Sequence, residues 1–570
     1  MRIAIYISKA VTLSILLLSN TTIAKVQNHP GTELIKDVTG GSIQGSADKH
    51  NTVSFKGIPY AKAPVGDLRW KAPQDNDSWE GVREASEFGD VCPQAGTIWG
   101  TTNPDELGTS IGNEDCLFLN VWRPNENISE LPVFVWIHGG SNARGTATSS
   151  TFHGAKLANT TKAIVVTLNF RLGALGWLHN DFLQGEDPLD ASGNYALLDM
   201  MKGLEWIQNN IQTFGGNPNQ VTIAGNSSGC SSVWGLMQSD LSEDLFDQAI
   251  CSAGFPSGLP AVVGNAISDG LIDNLLVMFG HATTVEEAIA FRSNQTSEWI
   301  DTFMRSVPAN LLATLVPRSA GNFIDGHVLE NAGVDAMQGG HFHRKPLMLG
   351  STKDEASYIW GVIAGFFNNA GASNPLLWEQ LIADPELLEL EDILLAPYAP
   401  LYPGVVAASS YAWSLATDNV ASFASNFQED VYRYDFNFDD IPAPWNSAFG
   451  ATHTFDLPFM FGNFDANTDT LYSFAWTDTN ENSREQVSQK FMSYLARFMR
   501  TGSPNAPWQN PQWQAWNENS LDDRRIQFDH PMSSSNDRFT FEEFESLRGN
   551  LAPFSQSLVD SFITGMPLSQ

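Results

Sequence analysis

A serine framed by glycines, Gly225-Asn226-Ser227-Ser228-Gly229, carries the densest chemical signal in this sequence. It stands between an apolar β-branched run, Val221-Thr222-Ile223-Ala224, and a segment over 230–237 that suits a helix. A G-x-S-x-G between a strand and a helix is a nucleophile-elbow pattern. Glycines at 225 and 229 let the chain turn sharply, and Ser227 is driven into an unfavourable backbone conformation that aims its oxygen at open space. A hydroxyl is a weak nucleophile by itself. The pattern therefore needs a base, an acid to orient that base, and donors for a developing oxyanion. Donors are offered by His138-Gly139-Gly140-Ser141-Asn142, where glycines bring backbone N–H groups close to a reacting atom, and by the N–H of Ser228. In the order Ser, acid, His, the base lies among His281, His327, His341, His343, His453 and His530. His453, in Gly450-Ala451-Thr452-His453-Thr454-Phe455-Asp456-Leu457-Pro458, sits in a loop bounded by Gly and Pro. His341 and His343 lack a Cys or carboxylate cluster at ligand spacing, so they read as surface residues and no metal site is expected. For the acid, Lys353-Asp354-Glu355 follows a short strand over 346–350. Asp325, in Ile324-Asp325-Gly326-His327, is the rival, although Asp-Gly is also a turn signal.

These residues need a scaffold that gathers them. Buried-strand runs are predicted over 132–137, 163–168, 221–224 and 248–252. Between 194 and 211 the apolar residues Ala196, Leu197, Met200, Leu204, Ile207 and Ile211 recur at helical spacing, and Phe214-Gly215-Gly216-Asn217-Pro218 ends that helix. Strands alternating with helices indicate an α/β fold with a large, mainly parallel central sheet and flanking helices. Ligands of such sheets bind beyond the carboxyl ends of the strands, where the elbow falls. Residues 260–345 and 360–440 read as helical and loop-rich, with short strands at 346–350 and 432–436. Residues 483–500 form an amphipathic helix with Val487, Phe491, Leu495, Phe498 and Met499 on or near one face. No Ser/Gly linker or internal repeat divides the chain.

The 570 residues carry 31 Lys+Arg against 64 Asp+Glu, a net charge of −33. A chain so acidic repels nucleic acid and anionic membrane surfaces. Residues 1–24 read as a signal peptide, with Arg2 and Lys9, an apolar run over 10–18, and Thr22-Ile23-Ala24 before Lys25. No other stretch reads as long and apolar enough to span a membrane. Residues 25–570 are expected to be an exported catalytic domain, secreted or periplasmic. Export permits disulfides. Four cysteines allow three pairings. Cys92 and Cys116 flank a polar, Gly-rich loop whose closure would contribute about 3 kcal/mol. Cys230 and Cys251 suit a second disulfide or a pair of buried thiols equally.

Taken together, these motifs resemble the type-B carboxylesterases, the cholinesterase-like branch of the α/β-hydrolases. The resemblance is carried in family order by FKGIPYAKAPVGDLRWKAPQ from Phe55, GNEDCLFLNVWRP from Gly112, NFRLGALGWL from Asn169, the long stretch from Gly193 through the elbow, STKDEASY from Ser351, GATHTFDLPFMFG from Gly450 and FMRTGSPN from Phe498. It runs from about residue 30 to the C-terminus and is weakest between about 260 and 430. It implies an α/β-hydrolase fold with helical insertions over an active-site gorge, and a small-molecule ester as substrate, with no cofactor. It implies a triad of Ser227, Glu355 and His453, and oxyanion donors at Gly140, Ser141 and Ser228. It also implies a Cys92–Cys116 disulfide at the gorge mouth, an Arg69–Glu114 ion pair supporting that loop, and Tyr358 and Ile359 on the acyl side of the pocket.

The sequence departs from the family pattern at several points. Asn226 replaces the usual Glu before the nucleophile and Ser228 the usual Ala after it. Ser141 and Asn142 replace the third glycine of the oxyanion loop and the aromatic that follows. Asp456 stands for the Glu three residues after the histidine. Without a carboxylate at 226, a preference for cationic choline esters is not expected. Trp99 does not match the spacing of the family's choline-binding Trp and reads as a packing residue, and the weakly matched region over 260–430 is expected to build the acyl and alcohol pockets. The competing readings are a lipase, lactonase or amide hydrolase on the same fold, or a cholinesterase-like adhesion protein; the latter keeps the fold with a broken triad, whereas here all three triad residues are present.

Overall fold

The computed structural model describes residues 33–568 except 102, 184–186, 316–320, 383–387, 466–470 and 518–523; the expected signal segment lies outside the described residues. An 11-stranded sheet organises the chain. Its strands are β1 (Ser46–Asp48), β2 (Thr52–Pro59), β3 (Phe118–Pro124), β4 (Leu131–Ile137), β5 (Ile164–Leu168), β6 (Gly216–Asn226), β7 (Gln248–Ser252), β8 (Leu347–Thr352), β9 (Val431–Phe436), β10 (Arg525–Phe528) and β11 (Ser533–Ser535). In space they run β11-β10-β9-β8-β7-β6-β4-β5-β3-β2-β1. The run from β10 to β5 is parallel, and antiparallel strands close both flanks. This is the α/β class expected from the sequence, and each predicted strand lies within or overlaps an observed one.

The apolar runs are explained by burial on both faces. Every residue of β4 is buried. Its side chains alternate between two cores: Phe134 and Trp136 enter one, and Val133, Val135 and Ile137 the other. Helix α1 (Tyr195–Asn210) covers the second core with Leu197, Met200 and Leu204, and α2 (Ser228–Met237) adds Val233 and Trp234. Helix α3 (Ala261–Met278) follows β7, the short α4 (Glu355–Tyr358) follows β8, and α5 (Tyr402–Ser425) precedes β9. Helix α6 (Glu481–Thr501) inserts Val487, Phe491, Leu495 and Phe498 into the first core. It ends at Gly502, which adopts φ +71° and donates to the Phe498 carbonyl.

Helix α3 corrects one expectation. By length and composition it would suffice to cross a membrane. Ile272, Leu275 and Leu276 pack into a third cluster with Trp70, Phe182 and Phe303. Val262, Val263, Ile267 and Met278 are exposed, while Asp273 turns inward to pair with Arg292 at 2.7 Å. Asp269 and Asp273 break its apolar run, so the sequence pattern does not single it out.

Candidate active site

The parallel registers align the carboxyl ends of four strands, β4, β6, β7 and β8: Ile137 pairs with Gly225, Gly225 with Cys251, and Ser252 with Gly350. The elbow follows β6. Ser227 sits at φ 57°, ψ −126° as the N-cap of α2, a conformation that a side chain tolerates only when its surroundings impose it. Here they do. A Cβ on Gly225 would lie 2.5 Å from the Gly229 carbonyl, and one on Gly229 would lie 2.2 Å from the Ile137 oxygen. The Ser227 N–H donates to the Ser252 carbonyl at 2.9 Å.

The glycine loop after β4 meets this turn. A Cβ on Gly139 would come within 2.7 Å of the Asn226 carbonyl and 3.1 Å of the Ser227 Cβ. No other residue type permits the loop to approach so closely. Among the described residues, no group accepts from the N–H of Gly140 or Ser141. Ser228 opens α2, where first-turn N–H groups have no acceptor within the helix. His138 is buried and stacks on Phe170 with centroids 4.4 Å apart. Burial pulls its pKa down to about 4, so it is neutral at ordinary pH.

Glu355 and His453, the expected acid and base, lie in the segments that follow β8 and β9. His453 Nδ1 lies 2.5 Å from Glu355 Oε2, and both side chains are buried. The other carboxylate oxygen of Glu355 accepts the Thr352 N–H at 2.7 Å. Asp354 clamps the two loops. Its N–H donates to the Ala451 carbonyl at 2.9 Å and its carboxylate accepts the Ala451 N–H at 3.0 Å. Burial raises the Asp354 pKa to about 6. The Ser357 hydroxyl adds contacts of 2.7 Å to the Phe449 carbonyl and to Thr452 Oγ1. Asp325 is spent elsewhere: it accepts from the N–H groups of Val328 and Leu329 and from Asn194 Nδ2, each at 3.0 Å, so it closes the turn its Asp-Gly sequence suggests.

Behind the elbow lies a buried polar chain that sequence reading missed. Asn226 Nδ2 donates to Ser252 Oγ at 3.2 Å; Ser252 Oγ and the Tyr434 hydroxyl donate to Asp456 Oδ2 at 2.6 and 2.7 Å. Asn226 lines the cavity beside Ser227, as expected of a pocket residue, and its amide also joins this chain of bonds. Burial raises the Asp456 pKa to about 6. Ser252 and Tyr434 carry no motif; only the strand register brings them here.

Ser227 and His453 open on one cavity of about 670 Å³, lined also by Gly140, Ser141, Tyr358 and Ile359. Trp99 is a correction: it is half-buried on the cavity wall, where its indole N–H donates to the Tyr358 hydroxyl and its ring meets Tyr358 edge-on at 5.3 Å. Packing was the right interaction, but it happens at the site. The expected pocket builder over 260–430 supplies only Tyr358, Ile359 and Ile363 among the described lining residues; most of the wall comes from residues 88–152. The helices over 261–315 instead pack on the Trp70 cluster, and α5 packs into the first and second cores.

Cross-links hold that wall. Cys92 and Cys116 form a disulfide. Arg69 grips Glu114 with two bonds of 2.7 Å. Gln94 accepts the Gly145 N–H at 2.8 Å and donates to the Gly145 carbonyl at 2.9 Å. Cys230 and Cys251 are also bonded, tying α2 to β7 and deciding the alternative left open by the sequence. Two disulfides are consistent with an exported protein. Of the other histidines, His341 is exposed, but His343 is half-buried with its ring 2.8 Å from the Ser239 carbonyl, correcting its reading as a surface residue.

The sequence profile of the carboxylesterase family matches residues 32–384 and 404–542. This chain belongs to the carboxylesterase family. It is 30% identical to the para-nitrobenzyl esterase of Bacillus subtilis (strain 168) over 84% of this chain and 91% of that protein. It is 30% identical to the acetylcholinesterase of Bungarus fasciatus over 87% and 82%. Similarity to the fumonisin B1 esterase of Sphingopyxis macrogoltabida is 34%, over 60% of this chain and 59% of that protein. Among solved structures, a PNB esterase superposes with TM-score 0.66 at 28% identity, covering 90% of this chain and all of that one. A carboxylesterase of Geobacillus stearothermophilus superposes with TM-score 0.68 at 26% identity, with the same coverage. The fold is that of the α/β-hydrolases, and the carboxylesterase is a serine-type ester hydrolase.

Proposed function

We propose that this carboxylesterase cleaves esters through an acyl-enzyme formed on Ser227. The observation that carries the reading is the buried 2.5 Å contact of His453 Nδ1 with Glu355, while His453 shares a cavity with Ser227. Held that way, the imidazole keeps its Nδ1 proton and offers Nε2 as the base. His453 takes the Ser227 proton as Oγ attacks the carbonyl carbon. The N–H groups of Gly140, Ser141 and Ser228 receive the oxyanion, each worth about 3–4 kcal/mol on the scale of similar sites. Collapse of the tetrahedral intermediate expels the alkoxide, which takes the proton from His453. Water, deprotonated by His453, then attacks the acyl-enzyme, and Ser227 recovers its proton as the acid leaves.

The substrate reading is a neutral ester. No carboxylate stands at position 226 beside the nucleophile, and one relative is named for a para-nitrobenzyl ester. Export by the segment over 1–24 would place the activity outside the cytoplasm. Turnover of a short p-nitrophenyl ester and covalent labelling by a fluorophosphonate are both expected to vanish in Ser227→Ala. Full activity in that variant would sink the assignment. A series of acyl lengths on one alcohol then separates esterase from lipase: preference for long-chain triglycerides over short soluble esters would replace the first with the second.

A further inference from the structure

The oxyanion loop carries side chains at two successive left-handed positions. Ser141 and Asn142 both lie at φ +57°, where a side chain crowds its own backbone. Three ties hold this stretch. The Asn142 carbonyl accepts the Gly173 N–H at 2.7 Å. Gln94 clasps Gly145 from the disulfide loop. The third tie is the Asn142 N–H, which donates to Ser228 Oγ at 3.1 Å. Of the three, only this one joins the loop to the elbow itself. Ser228 is also anchored, because it opens α2 and its carbonyl accepts the Ser232 hydroxyl at 3.2 Å.

We propose that the Ser228 hydroxyl is a positioning group for the oxyanion hole. The residue has two separable parts: its backbone N–H faces the reacting oxygen, and its side-chain oxygen fixes the distance between that donor and those of Gly140 and Ser141. The tie offsets this crowding, since a loop with two side chains in the left-handed region relaxes elsewhere unless it is held. Alanine at 228 would keep the donor and lose the tie. The effect falls on the tetrahedral intermediate, because a neutral ester carbonyl asks far less of the donors than an oxyanion does. This proposal rests on the reading of Ser227 as nucleophile.

The test compares Ser228→Ala, Ser228→Thr, the double variant Ser228→Ala/Asn142→Gly, and Ser227→Ala, all in the full chain. Active sites are counted by fluorophosphonate titration, so that misfolded protein does not enter kcat. Two quantities are measured: kcat and KM for p-nitrophenyl acetate, and inhibition by an alkyl trifluoromethyl ketone. Ser227 Oγ adds to the carbonyl carbon of that ketone, the serine proton goes to His453, and the C=O π pair moves to the oxygen to leave an oxyanion. Ser228→Ala is expected to lower kcat tenfold or more, with KM within about twofold, and to weaken the ketone by a similar factor. Ser228→Thr, which keeps the hydroxyl, should recover most of the loss. So should Asn142→Gly in the alanine background, because glycine adopts positive φ without penalty. Unchanged kcat and ketone affinity in Ser228→Ala, with Ser227→Ala inactive, would overturn the positioning role and leave the nucleophile in place. A loss seen in KM alone would overturn it too. Activity in Ser227→Ala would instead defeat the underlying reading.

Discussion

The acid–base corner and the outer pocket wall are built by different means. Glu355 and His453 are almost wholly buried, and the groups that hydrogen-bond around them are backbone and short side chains in the segments following β8 and β9, with Trp413 of α5 packed on the His453 ring. The wall over 88–152 is partly exposed, lies on long loops and is held by a disulfide, a bidentate ion pair and a glutamine clasp. Groups that hand a proton along a fixed path gain from the rigidity of a packed sheet. Groups that meet the substrate sit on loops, which tolerate variation but need cross-links to stay in place. Disturbing the corner should therefore cost turnover, and disturbing the wall should cost stability and selectivity.

The largest contrast is expected at the acid. Glu355→Gln should lower kcat by about 10³–10⁴-fold, the scale for losing the group that orients a catalytic histidine, whereas Asp325→Asn should leave steady-state rates nearly unchanged. The reverse result would move the acid to Asp325 and break the picture of the corner. On the wall, replacing both Cys92 and Cys116 by serine should cost about 3 kcal/mol in urea unfolding, from the loop their bond closes. KM should rise more than kcat falls; a collapse of kcat instead would show that the wall and the corner are one unit.

The corner also carries a pH signature. Burial lifts the Asp456 pKa from 3.8 to about 6 in the folded chain. Its contribution to stability is thus present below the unfolded pKa and is lost as pH rises through the folded one. Between pH 4 and pH 7, wild type should lose up to about 3 kcal/mol relative to Asp456→Asn, which keeps an acceptor for Ser252 and Tyr434 but does not ionise. Parallel urea curves at the two pH values decide it, and a constant difference between the proteins would mean that Asp456 titrates normally. The smallest effect is expected at Trp99. Removal of the indole by Trp99→Ala should shift the ratio of kcat/KM for bulky against short acyl groups by about tenfold, in favour of the bulky ones. An unchanged ratio would place acyl selection elsewhere on the wall.

Much of the elbow and sheet could be read directly from residue patterns. The runs that became β4, β5 and β6 are apolar because both their faces are covered, and the helix over 194–211 shows its spacing plainly. The gap lay where meaning depends on neighbours far along the chain. Trp99 read as a packing residue because nothing near it in sequence names Tyr358 as its partner. Ser252 and Tyr434 went unnoticed because hydroxyls on strands are ordinary. Helix α3 escaped notice as a long apolar segment because Asp273 and Asp269 interrupt its composition, and its partner Arg292 lies on a different helix.

The sequence by itself determined the turn at Ser227, the glycine-bearing loop that approaches it, the parallel sheet and the separate candidates for acid and base. These follow from local rules: which residues tolerate a sharp turn, which spacings bury one face, which order of groups suits acyl transfer. Only the tertiary structure put Glu355 in contact with His453 and Asp325 in a distant turn, paired Cys230 with Cys251, moved the pocket wall to residues 88–152, and tied Asn142 to Ser228. Each of those depends on distances between residues far apart in the chain, set by strand register and core packing, which no local pattern encodes.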